Sequence, residues 1–341
     1  MRNFAPIVLM VSVLVVSMLM SASLGAAQIS FSQVVSSLQH GLLGDEAITL
    51  TDKIIFELRL PRILLALLAG AGLSMAGAAL QTVTKNPLAD PYLFGISSGA
   101  SLGAVVFITL SSGLLSSTVS SNLIGELGLS ISAFFGAALS MILVLTLSLL
   151  KRSQQIETML LAGVAVSFLC GSVSSLLLYF SAPDIAANIL FWSLGSFTKA
   201  SWDLLTLPSI VVVSALIALF VLTPWISVLQ LGDESAQSLG ISVTKLRLAV
   251  LLICSVVTAV LVAACGGIAF VGLMIPHVVR LVLQSPPPFV YTALLGAIFM
   301  IWVDVIARCL IDNQELPVGI ITAVIGSVFF IIILFKKSSK S

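Results

Sequence analysis

Two stretches of this chain, Leu204 to Gly232 and Leu248 to Val279, contain no Asp, Glu, Lys or Arg. A helix crossing a hydrocarbon core of roughly 30 Å needs about 20 mainly apolar residues, and both stretches exceed that length. Inside a bilayer every backbone N–H and C=O must be satisfied within the protein, so runs like these are read as spanning helices. Composition agrees. Of 341 residues, 59% are hydrophobic and 9% charged, with a mean hydropathy of +1.21, whereas soluble domains carry about 25% charge. The expected fold class is an all-α integral membrane protein. A net charge of +1 without any basic tract gives no sign of nucleic-acid binding.

Between the two uncharged stretches lies Leu231-Gly-Asp-Glu-Ser-Ala-Gln-Ser-Leu-Gly240. This polar island reads either as a solvated loop or as a short helix projecting from the bilayer towards a partner. Applying the span length along the chain gives ten candidates, near 5–26, 62–82, 92–112, 128–150, 157–180, 203–223, 244–264, 268–284, 289–311 and 317–336. Only Gly266-Gly267 divides the seventh from the eighth, and the eighth is short. The start, with Arg2 and a small-residue stretch around Leu24–Gln28, also resembles a secretory signal. Its apolar run from Phe4 to about Leu24 exceeds the ~7–15 residues of a signal core, so a retained first span is expected.

Lys and Arg accumulate on the cytoplasmic side. With both termini inside, Arg2, Lys85, Lys151, Arg152, Lys245, Arg247, Arg280, Lys336, Lys337 and Lys340 are cytoplasmic, and Lys53, Arg59, Arg62, Lys199 and Arg308 lie outside. That majority puts the 231–240 island in the cytoplasm. The largest pieces between spans are an outer loop at 28–60, where Phe31, Val34-Val35 and Leu38 suggest an amphipathic helix, and an inner segment at 224–243. Neither is large enough for an independent catalytic domain, so 1–341 is expected to form a single transmembrane domain. Small residues recur every fourth position at Ala66/Gly70/Ser74/Ala78, Gly95/Gly99/Gly103 and Gly163/Ser167/Gly171/Ser175. That spacing stacks them on one helix face and permits close backbone approach between helices in lipid. Helix packing and a solute pathway both use such faces.

Enzymatic readings find little support. There is no G-x-x-x-x-G-K-[ST] phosphate loop and no H-E-x-x-H, and His40 and His277 stand far apart. Cys170, Cys254, Cys265 and Cys309 have no C-x-x-C spacing, so no metal site is expected. Asp304 is the one clear ionisable group inside a span. Arg308 lies four residues later on the same face, so a local ion pair competes with a proton relay as its role. Arg59-Leu-Pro-Arg62 opens the second span, with Pro61 suited to a first helical turn, and its arginines could anchor phospholipid. Lys85-Asn-Pro-Leu-Ala-Asp-Pro91 forbids a continuous helix.

Taken in order, Arg59-Leu-Pro-Arg62, Gly77 and Gln81, Asn86-Pro-Leu-Ala-Asp-Pro91, Gly95-Ile-Ser-Ser-Gly-Ala100, Leu161-Ala-Gly-Val164, Trp192-Ser-Leu-Gly-Ser196, Leu231–Gly240, Gly272-Leu-Met-Ile-Pro-His277 with Arg280, and Glu315-Leu-Pro-Val-Gly-Ile320 resemble one family. The chain is similar, from about residue 50 to 337, to the FecCD-type permeases of ABC importers for ferric siderophores, haem and cobalamin. The resemblance implies a type II importer bundle of about ten helices that pairs as a homodimer or close heterodimer. It implies two ATPase subunits beneath, carrying ATP and Mg, an extracytoplasmic solute-binding protein above, and a bacterial inner membrane around it. This chain itself would bind no cofactor and catalyse nothing.

By the same resemblance Arg59, Arg62 and Arg308 dock acidic residues of the binding protein. Gly232, Asp233, Glu234, Ser235, Ala236, Ser238, Leu239 and Gly240 form the ATPase-coupling helix, rigidly joined to its flanking spans. Asn86 and Leu88, with Gln155 and Ile156, match inner-gate positions, and Gly95, Gly99, Gly103, Gly163, Ser167 and Gly171 belong to packing or pathway. Many relatives carry a Gly-x-Asp-His-Arg-like loop between spans eight and nine where this chain has Gln284-Ser-Pro-Pro-Pro-Phe289. The implied cargo is a ferric siderophore, then haem or cobalamin, with an oxyanion such as molybdate also open. A secondary transporter working through Asp304 is the alternative from another class.

Overall fold

A computed structural model describes residues 4–25, 29–43, 49–113, 122–150, 156–283, 289–311 and 314–338. In chain order the helices are α1 (Phe4–Ser23), α2 (Phe31–Leu43), α3 (Leu50–Lys53), α4 (Leu60–Thr84), α5 (Ile96–Gly113), α6 (Asn122–Leu150) and α7 (Ile156–Tyr179). They continue as α8 (Pro183–Ser193), α9 (Trp202–Leu229), α10 (Asp233–Ser238), α11 (Val243–Cys265), α12 (Val271–Leu283), α13 (Phe289–Cys309) and α14 (Val318–Ser338). A π-helical stretch, Ile54–Arg59, joins α3 to α4, and a 3-10 turn, Pro91–Phe94, leads into α5. Among the described residues there is no strand, only an isolated bridge between Ile311 and Gln314.

Each of the ten expected spans coincides with a helix, but they are not equally long. Among the described residues seven are long and apolar enough to cross a membrane, while α5, α12 and α14 offer shorter apolar stretches. α9 continues to Leu229, so part of the inner segment anticipated at 224–243 is still helix. The outer loop anticipated at 28–60 holds α2, α3 and the π-helical stretch. Its α3 is closed by a capping box in which Thr49 and Asp52 exchange hydrogen bonds.

The bundle is built around α4. Across the most apolar window of each span, 89% of the α4 residues are buried, against 28% in α7 and α9 and 17% in α1. Its sequence explains the position, since beyond Arg62 the helix has no charge and is mostly Leu, Ala and Gly. α13 runs antiparallel along it. A Cβ on Gly70 would lie 2.1 Å from the Gly296 carbonyl oxygen, and the Ser74 hydroxyl donates to the carbonyls of Gly70 (2.6 Å) and Thr292 (2.9 Å). α12 touches α4 where a Cβ on Gly77 would lie 1.9 Å from the Gly272 oxygen, and α11 approaches Gly72 through Val257 and Leu261. α5 meets α6 likewise, with Gly103 against Ser132 and Gly99 against Gly136. The small-residue faces thus bring backbones together, the main source of helix association in lipid. The large apolar side chains exposed on α1, α6, α7 and α9 are those a bilayer would cover.

The levels of these contacts show why α5 and α12 are short. α12 begins beside Gly77, well down α4, whereas α11 ends at Cys265 beyond the level of Gly72, so residues 266–270 descend without helical bonding. The segment after Lys85 climbs back to the same level, because Asp90 and Pro91 flank Gly272. Irregular backbone at that depth is tolerated only where protein satisfies it, and it is satisfied here. The Ile268 N–H donates to the Tyr92 hydroxyl (2.7 Å), Gln81 Nε2 donates to the Gly272 carbonyl (3.0 Å), and the Tyr92 N–H donates to Asp90 Oδ1 (2.8 Å). The third and eighth spans, expected as whole helices at 92–112 and 268–284, are in fact helices with irregular entries. Replacing Gly77 by Val forces α4 and α12 apart and lowers stability by about 1–3 kcal/mol, read as a fall in the thermal midpoint in detergent. Gly171→Ala, where an added Cβ meets nothing within 4 Å, leaves the midpoint unchanged.

Candidate functional site

At the end of the bundle expected to face outward two arginines pair with one carboxylate, and a third, Arg59, lies near Arg308. The π-helical stretch before α4 leaves the Phe56 carbonyl to accept the Trp202 indole N–H (2.9 Å) and turns Arg59 inward, where it is 6% exposed and donates to the Ala22 carbonyl. One turn later Arg62 Nε donates to Asp304 Oδ1 (2.8 Å), and its Nη1 forks onto both oxygens of Glu315 (2.8 and 3.0 Å). Arg308 Nε lies 3.0 Å from Asp304 Oδ2, while its Nη atoms donate to the Leu24 carbonyl (2.9 Å) and the Ser21 hydroxyl (2.8 Å). Asp304 is fully buried. Burying a lone carboxylate is costly, and two guanidinium partners offset that cost. The carbonyls of Ser21, Ala22 and Leu24 belong to the last turn of α1, whose negative dipole end favours cations.

The ion pair read between Asp304 and Arg308 is therefore part of a larger network linking α1, α4, α13 and the segment before α14. Both ion-pair partners of Asp304 are guanidinium groups, which do not give up protons. Of the three arginines expected to face a docking partner, Arg59 and Arg308 are held inside, each about 6% exposed, and Arg62 stands at the edge of the network. Only Arg62, 12% exposed, and Glu315, 44% exposed, bring side chains of this network towards the outer surface. Sequence reading missed Glu315 and Ser21 as members of the network.

At the opposite end α10 stands between two glycine turns, Gly232 at φ +124° and Gly240 at φ +81°. Both conformations are cheap only for glycine. Leu231, Glu234, Ser235, Gln237, Ser238 and Leu239 are exposed, Leu239 at 66%. Ala236 is fully buried and holds the helix against the bundle. Asp233, its side chain 39% exposed, pairs with neighbouring cations. Its carboxylate receives Lys85 Nζ (2.8 Å) and Arg247 Nη2 (2.9 Å), and Arg247 Nε donates to the Val83 carbonyl (3.2 Å). The Lys85 hydrogen bond, opposed by partial burial and reinforced by Arg247, holds the Asp233 carboxyl below the usual carboxylate range. A depressed carboxyl stabilises the fold above its unfolded value of about 3.9 and loses that contribution as pH falls through its folded value. This anchor is therefore charged throughout the neutral range. Lys85 and Arg247 escaped sequence reading as partners of Asp233, and Gln237 was overlooked on the exposed face.

Beside this helix, Asn86 Oδ1 accepts the Leu88 N–H (2.9 Å) in a tight turn that leaves Leu88 57% exposed. Gln155 and the Gln284–Pro288 stretch lie outside the described residues, and Ile156 is the first residue of α7. The packing-or-pathway set divides. Gly99 and Gly103 are closed against α6, and Gly95 lies against Gly163 and Ser167. Gly171 faces open space and lines cavities of about 220 and 750 Å³ with Ser167, Ser174, Tyr92 and Trp192. The residues lining these two cavities are uncharged. Among the described residues no cluster of His, Cys, Asp or Glu could hold a metal.

Comparison with known proteins places these features in context. The model of the FecCD transport family matches residues 13–336. An iron chelatin transport system permease of Helicobacter pylori is 36% identical over 90% of this chain and 90% of its own length. The hemin transport system permease of Yersinia pestis is 31% identical over 95% of this chain and 93% of its own. A solved structure described as an inward-facing conformation of a metal-chelate type ABC transporter superposes with a TM-score of 0.83 at 29% identity, covering 97% of this chain and 99% of that one.

Removing the buried carboxylate leaves Arg62 and Arg308 partly uncompensated. Asp304→Ala is expected to destabilise the protein by about 3–5 kcal/mol, measured by thermal unfolding in detergent. Arg62→Met and Asp304→Asn together should cost less than the sum of the two single changes in a double-mutant cycle.

Proposed function

The chain belongs to the FecCD transport family, and from that premise we propose that it carries a bulky ferric chelate, a siderophore foremost, inward across a bacterial inner membrane. It is a permease of metal-chelate type ABC importers. In this reading two copies, or this chain and a close paralogue, enclose a solute path. Two separate ATPase subunits bind from the cytoplasm with ATP and Mg, and an extracytoplasmic binding protein delivers the cargo. Both termini are cytoplasmic.

The observation that carries the proposal is α10. A short helix on glycine turns, anchored on one face and presenting Leu231, Glu234, Ser235, Gln237, Ser238 and Leu239 on the other, has the shape of a part made to be gripped. By the orientation from Lys and Arg, that part is cytoplasmic, where ATP is. The uncharged cavities around Gly171 suit a path that lets a large solute pass without holding it, leaving selectivity to the binding protein. The H. pylori and Y. pestis relatives, named for iron chelatin and hemin, support a metal-chelate cargo. Haem and cobalamin are the next candidates. On the outer face Arg62 is the arginine placed for charge-steered docking, which mainly sets association rate and register.

Co-purification with the cognate ATPase tests the central claim. Leu239→Asp puts a charge at the tip of α10 and abolishes co-elution while leaving the permease folded; co-elution at the wild-type level overturns the assignment. On the outer side Arg62→Gln slows association of the binding protein in surface-plasmon measurements without disturbing ATPase assembly, and an unchanged rate removes Arg62 from docking.

A further inference from the structure

We propose that Lys85, Asp233 and Arg247 form an ionic clamp that delivers the movement of α10 directly to the gate loop of Asn86 and Leu88. Asp233 is then a positioning residue and not an ATPase contact. The inference rests on reading α10 as the coupling helix and that loop as the inner gate.

Three observations carry it. First, α10 joins α9 and α11 through turns at Gly232 and Gly240, both at positive φ, with nothing nearer than 3.7 Å to an added Cβ. No packed neighbour crowds either turn, so a second link to the bundle adds to what the backbone transmits. Second, the non-covalent link is well made. Asp233, the first residue of α10, receives Lys85 at 2.8 Å and Arg247 at 2.9 Å, and Arg247 also grips the Val83 carbonyl at 3.2 Å. The last turn of α4, the first turns of α11 and the start of α10 are thereby tied at one carboxylate.

Third, Lys85 is an odd residue for its backbone. It closes α4 in the left-handed conformation, φ +52°, a C-terminal position that glycine usually fills and that costs free energy in a residue with a Cβ. A strained residue points to function, and the lysine supplies here what glycine lacks, an ammonium that reaches Asp233. The peptide bond after Lys85 begins the gate loop, where the Asn86 N–H returns to the Gln81 carbonyl (3.2 Å) and Leu88 stands exposed. Displacement of α10 thus pulls on the residue from which the gate loop hangs.

The test uses the complete transporter, with its ATPase subunits, in proteoliposomes. Leu88→Cys is placed in a Cys309→Ser background, since Cys170, Cys254 and Cys265 are buried. Its rate of modification by a membrane-impermeant maleimide is compared between nucleotide-free and vanadate-trapped states. Lys85→Gly and Asp233→Asn are expected to keep ATPase co-elution at the parental level while the ratio of the two rates collapses by about fivefold or more. Lys85→Gly is the sharper variant, since relieving the left-handed lysine leaves the thermal midpoint unchanged or higher. Asp233→Glu is expected to restore part of the response.

Retention of the full ratio in Lys85→Gly and Asp233→Asn overturns the clamp. Loss of ATPase co-elution in Asp233→Asn alone overturns it too, because Asp233 is then a contact. An unresponsive parent, in a protein whose ATPase binding is still abolished by Leu239→Asp, shows that coupling bypasses the loop and likewise overturns the clamp. Survival of ATPase binding in Leu239→Asp is a separate result and strikes the coupling assignment of α10 itself.

Discussion

Contact between bare backbones is what this bundle depends on. Gly70 lies against Gly296, Gly77 against Gly272, Gly99 against Gly136 and Gly103 against Ser132, and each contact exists because no side chain intervenes. In lipid there is no hydrophobic drive to hold helices together, so attraction must come from closely matched surfaces. Once α4 is gripped on several sides, the remaining spans have few ways to arrange themselves. The same closeness lets Gln81 reach the Gly272 carbonyl and Tyr92 reach the Ile268 amide. Those bonds in turn allow irregular chain at a depth where it would otherwise be forbidden.

An ionic network stands at each end of the bundle, and the two are built differently. The Asp304 network is largely buried, with the end of α1 at one edge and Arg62 and Glu315 reaching the surface at the other. The inner cluster is half exposed and joined at a single carboxylate. A buried, multiply bonded set resists rearrangement because breaking one pair strands a charge. A solvent-washed ion pair contributes little to stability and can shift at small cost. The molecule is therefore stiff at its Asp304 end and adjustable at its Asp233 end.

Much of this was legible in the residues. Ten apolar segments met ten helices because span length is set by the bilayer. Ala66, Gly70, Ser74 and Ala78 marked a packing face because helical period alone places them together. The order of short motifs by itself points to the FecCD transport family. What could not be read depends on distance through space. Nothing local to Arg62 announces Asp304, 242 positions away, and nothing near Asp233 announces Lys85, 148 positions away. The irregular starts of α5 and α12 were hidden for a related reason. Gly266-Gly267 signalled a break, but Tyr92 and Gln81, which make that break tolerable, sit in other segments. Arginine at a span end likewise gives no sign of whether it faces solvent or a carboxylate, and so Arg59 and Arg308 were expected on the surface.

The outer network also has a history, because its parts are synthesised at very different times. Arg59 and Arg62 enter the membrane early, whereas Asp304 and Glu315 follow more than two hundred residues later, the Arg62 to Glu315 separation being 253. Until α13 has been inserted, Arg62 has neither carboxylate and Arg308 cannot close the last turn of α1. A chain stopped short of that point carries an uncompensated cation beside an open helix end. Completion of this network thus waits for the segment after α13, so the Asp304 end of the bundle closes late although α1 and α4 are made early.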